Sequence, residues 1–224
     1  MLVWPKARIE ICGPLGAGKT TLLNLLTHYG ATPIYEPVQQ HPYLADFYTN
    51  PPKYALEKCC FFALDYLHSL KTHSAHESTV ALDASVPLLR AYHDMAPLRM
   101  DERLMADDLL DGIAAQLPPA DLYIHLSADT QYLLKRIAKR GRDMESAVSA
   151  DYVEGLNRRL DHHIARVAIH SRLLVLEVQT LEGLTDPESI CPIIENINKT
   201  LHLALEAKAA GAQEQPLPLP ESAI

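Results

Sequence analysis

Ala7 to Thr21 reads ARIEICGPLGAGKTT, and the change of character at Cys12 decides the fold. The run from Ala7 to Cys12 is short and apolar enough for a buried strand, and it breaks at the glycine-rich stretch GPLGAG. Lys19, Thr20 and Thr21 then lead into LLNLL, a helical pattern. Gly13, Gly18, Lys19 and Thr20 have the spacing of a phosphate loop, in the strand-before, helix-after setting that its mechanism demands. Glycines let successive backbone N–H groups turn toward an anion, and the following helix aims its positive end at the same point. Gly13, Pro14, Leu15, Gly16, Ala17, Gly18, Lys19, Thr20 and Thr21 are therefore the expected cradle for the phosphates of ATP. Lys19 would bridge the outer phosphates and Thr20 would hold magnesium. The loop alone leaves the reaction open.

Outward from the loop, short apolar runs alternate with longer helical patterns, the arrangement of an α/β protein with a parallel sheet. Ala7 to Cys12, Thr32 to Tyr35, Thr79 to Ala84, Asp121 to Leu126 and Leu173 to Val178 are the five expected strands. Helices are predicted over Thr20 to Tyr29, ending at a left-handed Gly30, over Pro52 to Thr72, and over Asp151 to His170. The chain has 224 residues, 48% of them hydrophobic, which suits one domain over residues 1–208. From Ala209 the composition turns to Ala, Gly, Gln and Glu and then PLPLP, read as a disordered tail.

Twenty Lys and Arg against 28 Asp and Glu give a net charge of −8, which argues against a nucleic-acid partner and for a small one. Four cysteines without paired metal-ligand spacing fit a reducing cytosol, and no apolar run reaches the length of a membrane span. A cytoplasmic protein is expected.

Two further features narrow the chemistry. KRIAKRGRDME sets Arg136 and Arg140 one helical turn apart, ends a helix near Gly141, and puts Arg142 and Glu145 in the loop beyond, over about residues 139–148. Converging guanidinium groups stabilise a transferring phosphoryl group and exclude water, as the lid of a small-molecule kinase must. Glu36, in PIYEPV, sits at the carboxyl edge of the sheet, where a carboxylate can take a proton from an acceptor hydroxyl. Asp83 ends the third strand similarly, either holding magnesium through water or capping the next helix.

Together the motifs resemble the deoxynucleoside kinase family from about Ile9 to Val178: the phosphate loop, Glu36-Pro37, FYTNPPKYA from Phe47 to Ala55, Asp83-Ala84-Ser85, and Arg136, Arg140, Arg142 and Glu145. The resemblance implies a P-loop kinase fold with a five-stranded sheet of order 2-3-1-4-5, helices around it and an Arg-rich lid. It implies transfer from ATP, with magnesium, to the 5'-hydroxyl of a deoxyribonucleoside, in a homodimer. Glu36 would be the general base, Tyr48 and Glu145 would hold the 3'-hydroxyl, and Arg140 and Arg142 would clamp the ATP phosphates. The chain departs from the family at three places. Ala84 replaces an Arg that steadies the catalytic carboxylate; Cys59 replaces the Gln that reads the base; Leu89-Arg90 replaces an assisting Asp-Arg pair. Arg90, one or two helical turns on, is read either as reaching the place of the missing Arg or as a surface charge. Two other readings stay open: a thymidylate-type nucleoside monophosphate kinase, and a non-catalytic nucleotide-binding subunit.

Overall fold

The computed structural model describes residues 4–73, 78–142, 145, 148–169, 171–181 and 187–210. Of the tail expected to be disordered over residues 209–224, residues 211–224 lie outside the described residues, while Ala209 is still helical. Strands β1 (Arg8–Cys12), β2 (Thr32–Ile34), β3 (Val80–Leu82), β4 (Leu122–Ser127) and β5 (Arg172–Glu177) form one sheet of order β2-β3-β1-β4-β5, with every neighbouring pair parallel. The expected fold class and strand order are both found. Helices are α1 (Lys19–His28), α2 (Leu44–Thr49), α3 (Pro51–His73), α4 (Val86–Met95), α5 (Met100–Gln116), α6 (Thr130–Arg140), α7 (Ala150–Val167), α8 (Val178–Leu181) and α9 (Pro187–Ala209).

The period of two along β1 sorts its side chains between two helical layers. Ile9 and Ile11 pack with Leu23 and Leu26 of α1, Leu133 of α6 and Ile197 of α9. On the opposite face Cys12 packs with Leu88 of α4 and Leu156 and Leu160 of α7. Glu10, also on that face, is fully buried, and its Oε1 accepts a 2.6 Å hydrogen bond from the Tyr66 hydroxyl of α3 and lies 3.1 Å from Nε of Arg8. Burial in an apolar layer raises the Glu10 pKa against the pull of Arg8.

Chain order reverses on either side of β1, since β3 and β2 lie to one side and β4 and β5 to the other. A crevice therefore opens beyond the carboxyl end of β1, and the phosphate loop enters it directly. β2 and β3 are shorter than the sequence suggests. They stop at Ile34 and Leu82, so Tyr35 and Ala84 are not strand residues and both Glu36 and Asp83 lie just past the sheet edge. Pro37 accounts for the first stop, because it restricts the residue before it and has no N–H to give.

Candidate active site

Gly16 and Gly18 adopt positive φ of 83° and 94°, a conformation side chains rarely take, and a Cβ on Gly16 would meet Cγ1 of Ile137 at 3.0 Å. The loop consequently turns tightly against α6 and delivers Lys19 at the first position of α1. Lys19 Nζ donates to the carbonyls of Gly13 at 2.9 Å and Pro14 at 3.3 Å, and burial lowers its pKa against the pull of Glu36 and Asp83. Arg136 donates from Nε to the Gly16 carbonyl at 2.9 Å and so ties α6 to the loop.

Asp83 joins two halves of the site. Its Oδ2 accepts from the Thr20 hydroxyl at 2.8 Å and its Oδ1 from the Glu36 backbone N–H at 2.6 Å. Ser85 follows as the N-cap of α4, accepting from Leu88 N–H, and also accepts from the Cys12 thiol at 3.0 Å. Burial pushes that thiol up to about 12, so it stays protonated and keeps donating. Thr20 and Asp83 offer adjacent hard oxygen donors, which fit a magnesium ion completed by phosphate and water. Among the described residues no group of three or more His, Cys, Asp or Glu is placed to hold a metal alone.

One cavity of about 610 Å³ runs from the loop to the far side of Glu36, lined by Gly16, Gly18, Lys19 and Thr20 at one end and Tyr48, Cys59 and Tyr92 at the other. Asp83, Arg136, Arg140, Arg142 and Glu145 also line it. Enclosure by these walls raises the Glu36 carboxyl to about 7, with Asp83 pushing it further up and Lys19 and Lys58 pulling it down. Glu145 is buried; its carboxylate accepts from Arg140 Nε at 3.1 Å and Arg142 Nη1 at 3.3 Å, and the Arg140 Nη2 group also bonds it. Gly141, left-handed at φ 64°, ends α6 and turns the chain so that both arginines face the same carboxylate. Tyr48, at the end of α2, lies in the field of Glu145, Arg140 and Arg142.

The structure therefore brings together most of the residues singled out in the sequence. Gly13, Pro14 and Ala17 are buried within the loop rather than lining the cavity. Of the two readings of Arg90 the structure takes the surface charge and corrects the other: the side chain is not in the cavity wall but pairs with Asp111 of α5, toward which its position on α4 points it. Ala84 lines a separate void of about 10 Å³ beside Glu36, with Phe62 and Leu89. Sequence reasoning missed Lys58 and His93, both buried and both in the cavity wall. The signal for Lys58 is its place among Ala55, Cys59, Ala63 and Tyr66, the buried stripe of α3.

Comparison with known proteins agrees with this geometry. The model of the family described as deoxynucleoside kinase matches residues 9–202. The chain is 31% identical over 183 residues to a deoxyguanosine kinase of Bacillus subtilis, covering 78% of this chain and 86% of that one. It is 26% identical over 207 residues to a deoxyadenosine/deoxycytidine kinase of the same organism, covering 87% and 93%. A solved structure of deoxyadenosine kinase from M. mycoides with bound dATP superposes with a TM-score of 0.71 at 21% identity, over 86% of this chain and 99% of that one, a likeness of fold.

Proposed function

The chain belongs to the deoxynucleoside kinase family, a phosphotransferase acting on a hydroxyl group, and from that premise we propose that it moves the γ-phosphoryl group of ATP to the 5'-hydroxyl of a deoxyribonucleoside. One observation carries the reading: the phosphate loop and Glu36 line the same cavity, joined through Asp83. Backbone N–H groups of the loop and Lys19 bind the outer phosphates. Glu36 takes the proton of the 5'-hydroxyl as that oxygen bonds the γ-phosphorus; the bond from phosphorus to the bridging oxygen breaks and ADP leaves. Arg136, Arg140 and Arg142 offset the charge on the transferring group and keep water out, while Tyr48 and Glu145 hold the 3'-hydroxyl. Thr20 and Asp83 would hold magnesium, which when bound neutralises phosphate charge.

Ala84 deprives the acceptor side of the Arg that the family resemblance leads one to expect, and cationic partners of Glu36 come instead from Lys19 and Lys58. The thymidylate-type alternative needs a further cation beside Asp83; Ala84 supplies none and Arg90 is turned away to Asp111. We also read the working form as a cytoplasmic homodimer. No described helix is long and apolar enough to cross a membrane.

The test is a transfer assay with ATP and magnesium against the four deoxynucleosides, with Glu36→Gln in parallel. Turnover of at least one nucleoside, reduced by about two to four orders of magnitude in Glu36→Gln, is the expected result. ATP binding without turnover of any nucleoside would overturn the kinase reading; turnover indifferent to Glu36→Gln would overturn only the assigned base.

A further inference from the structure

The end of the cavity remote from the phosphate loop carries two buried polar side chains, Lys58, whose charge also acts on Glu36, and His93. Lys58 is only 6% exposed, yet its Nζ has no hydrogen bond to any described residue. It sits 4.4 Å from the centroid of the Phe47 ring and 5.6 Å from that of Tyr92, held between α2 and α4 by the faces of two aromatic rings. His93, 1% exposed, lies near the Cys59 carbonyl too loosely to bond it, and neither ring nitrogen has a hydrogen-bond partner among the described residues. A buried imidazole with no hydrogen-bond partner is costly unless a ligand completes it, and the Lys58 ammonium has only ring faces beside it.

Their chemistry defines that ligand. An ammonium has three donors and no acceptor. Burial first, and Lys58 second, push His93 down to about 4, so at neutral pH its ring is uncharged and keeps one accepting nitrogen. In the neutral ring one nitrogen carries the proton and the other accepts. Cys59 itself, buried beside them, is a weak partner for any base edge.

We propose that Lys58 and His93 form the base-reading end of the acceptor pocket and select deoxynucleosides that present a carbonyl oxygen beside a ring N–H. That edge is shared by guanine, hypoxanthine, thymine and uracil. Lys58 donates to the carbonyl and His93 accepts from the N–H. Adenine and cytosine present the reverse pattern, an amino group beside a bare ring nitrogen. Their amino hydrogens would face the Lys58 donors and their ring nitrogen the His93 acceptor. This inference rests on the proposed function and refines its substrate.

The experiment measures kcat/KM with ATP and magnesium for deoxyguanosine, deoxyinosine, thymidine and deoxyuridine against deoxyadenosine and deoxycytidine, in the wild-type chain, Lys58→Met and Lys58→Gln. The wild-type chain is expected to prefer at least one member of the first group by about 10- to 100-fold over both members of the second. Comparing purine with purine and pyrimidine with pyrimidine separates the edge from ring size. Lys58→Met, which keeps the volume and removes the donors, is expected to bring that ratio to within about fivefold. Lys58→Gln, whose amide both donates and accepts, is expected to gain activity on deoxyadenosine or deoxycytidine, a gain that misfolding cannot produce. A wild-type preference for the amino-bearing bases, or an unchanged ratio in Lys58→Met, overturns the inference while leaving the kinase reading intact. A wild-type chain that binds ATP and phosphorylates none of the six overturns the kinase reading itself, and this inference with it.

Discussion

Glu36 and Lys19 face each other with opposed needs, and their surroundings supply both. Enclosure raises the Glu36 carboxyl to about 7, which makes it a stronger base than a solvated carboxylate and places its titration near neutrality. The raised value means that the protonated form, which cannot serve as the proposed base, takes over as the pH falls through that point. We therefore expect kcat/KM for the deoxynucleoside to rise from about pH 6 to about pH 8 with a midpoint near 7, and to level off above it. A profile flat across this interval would exclude Glu36 as the titrating base. Lys19→Ala removes the side chain proposed to reach the outer phosphates, and a loss of two or more orders of magnitude in kcat, with the fold retained by circular dichroism, is expected. Cys12 is legible as a residue of the strand, but its role is not, because the bond to Ser85 joins positions 73 residues apart.

At the scale of elements, the lid turns on Glu145. Its carboxylate holds Arg140 from the end of α6 and Arg142 from the loop, so one group sets the position of two cations. If it also holds the 3'-hydroxyl, Glu145→Gln raises KM for the deoxynucleoside about tenfold while a 2',3'-dideoxynucleoside is scarcely affected. Equal effects on both substrates would deny that contact. Tyr66 ties α3 to β1 through the buried Glu10 carboxylate. Tyr66→Phe leaves that oxygen short of a donor and should cost about 1–3 kcal/mol in urea unfolding, with no change in the slope of the transition. A cost near zero would mean that Arg8 alone satisfies Glu10. The sequence revealed α1, α3, α6 and α7 because apolar spacing or a terminal glycine marks them. α5, whose MDERLMADD start exposes Met100, Leu104 and Met105, lacks so clear a stripe, and α9 carries Pro192 within it. Local pattern rarely overcomes such mixed signals.

The whole molecule assembles its site from segments that only the topology brings together: the loop after β1, Glu36 after β2, Asp83 after β3, α3, α4 and the end of α6. The parallel sheet was legible because each strand is short and apolar and the phosphate loop identifies the first of them. Glu36 and Asp83 were legible as charges at the edge of such a sheet, and the lid arginines by their spacing on a helix that ends near Gly141. Lys58 and His93 were not, since a lysine in a helix reads as solvated until the packing of α2 and α4 encloses it. Light scattering should give about twice the 24.9 kDa of one chain if the working form is the homodimer; a mass near one chain would contradict it.

The central claim is that phosphate leaves ATP for a sugar hydroxyl rather than for water. Phosphorus-31 NMR of the chain with ATP, magnesium and deoxyguanosine tests it most directly, because donor and product are seen in one spectrum. A 5'-monophosphate resonance growing in equal proportion to ADP is the predicted result, and ADP accompanied only by inorganic phosphate would contradict it.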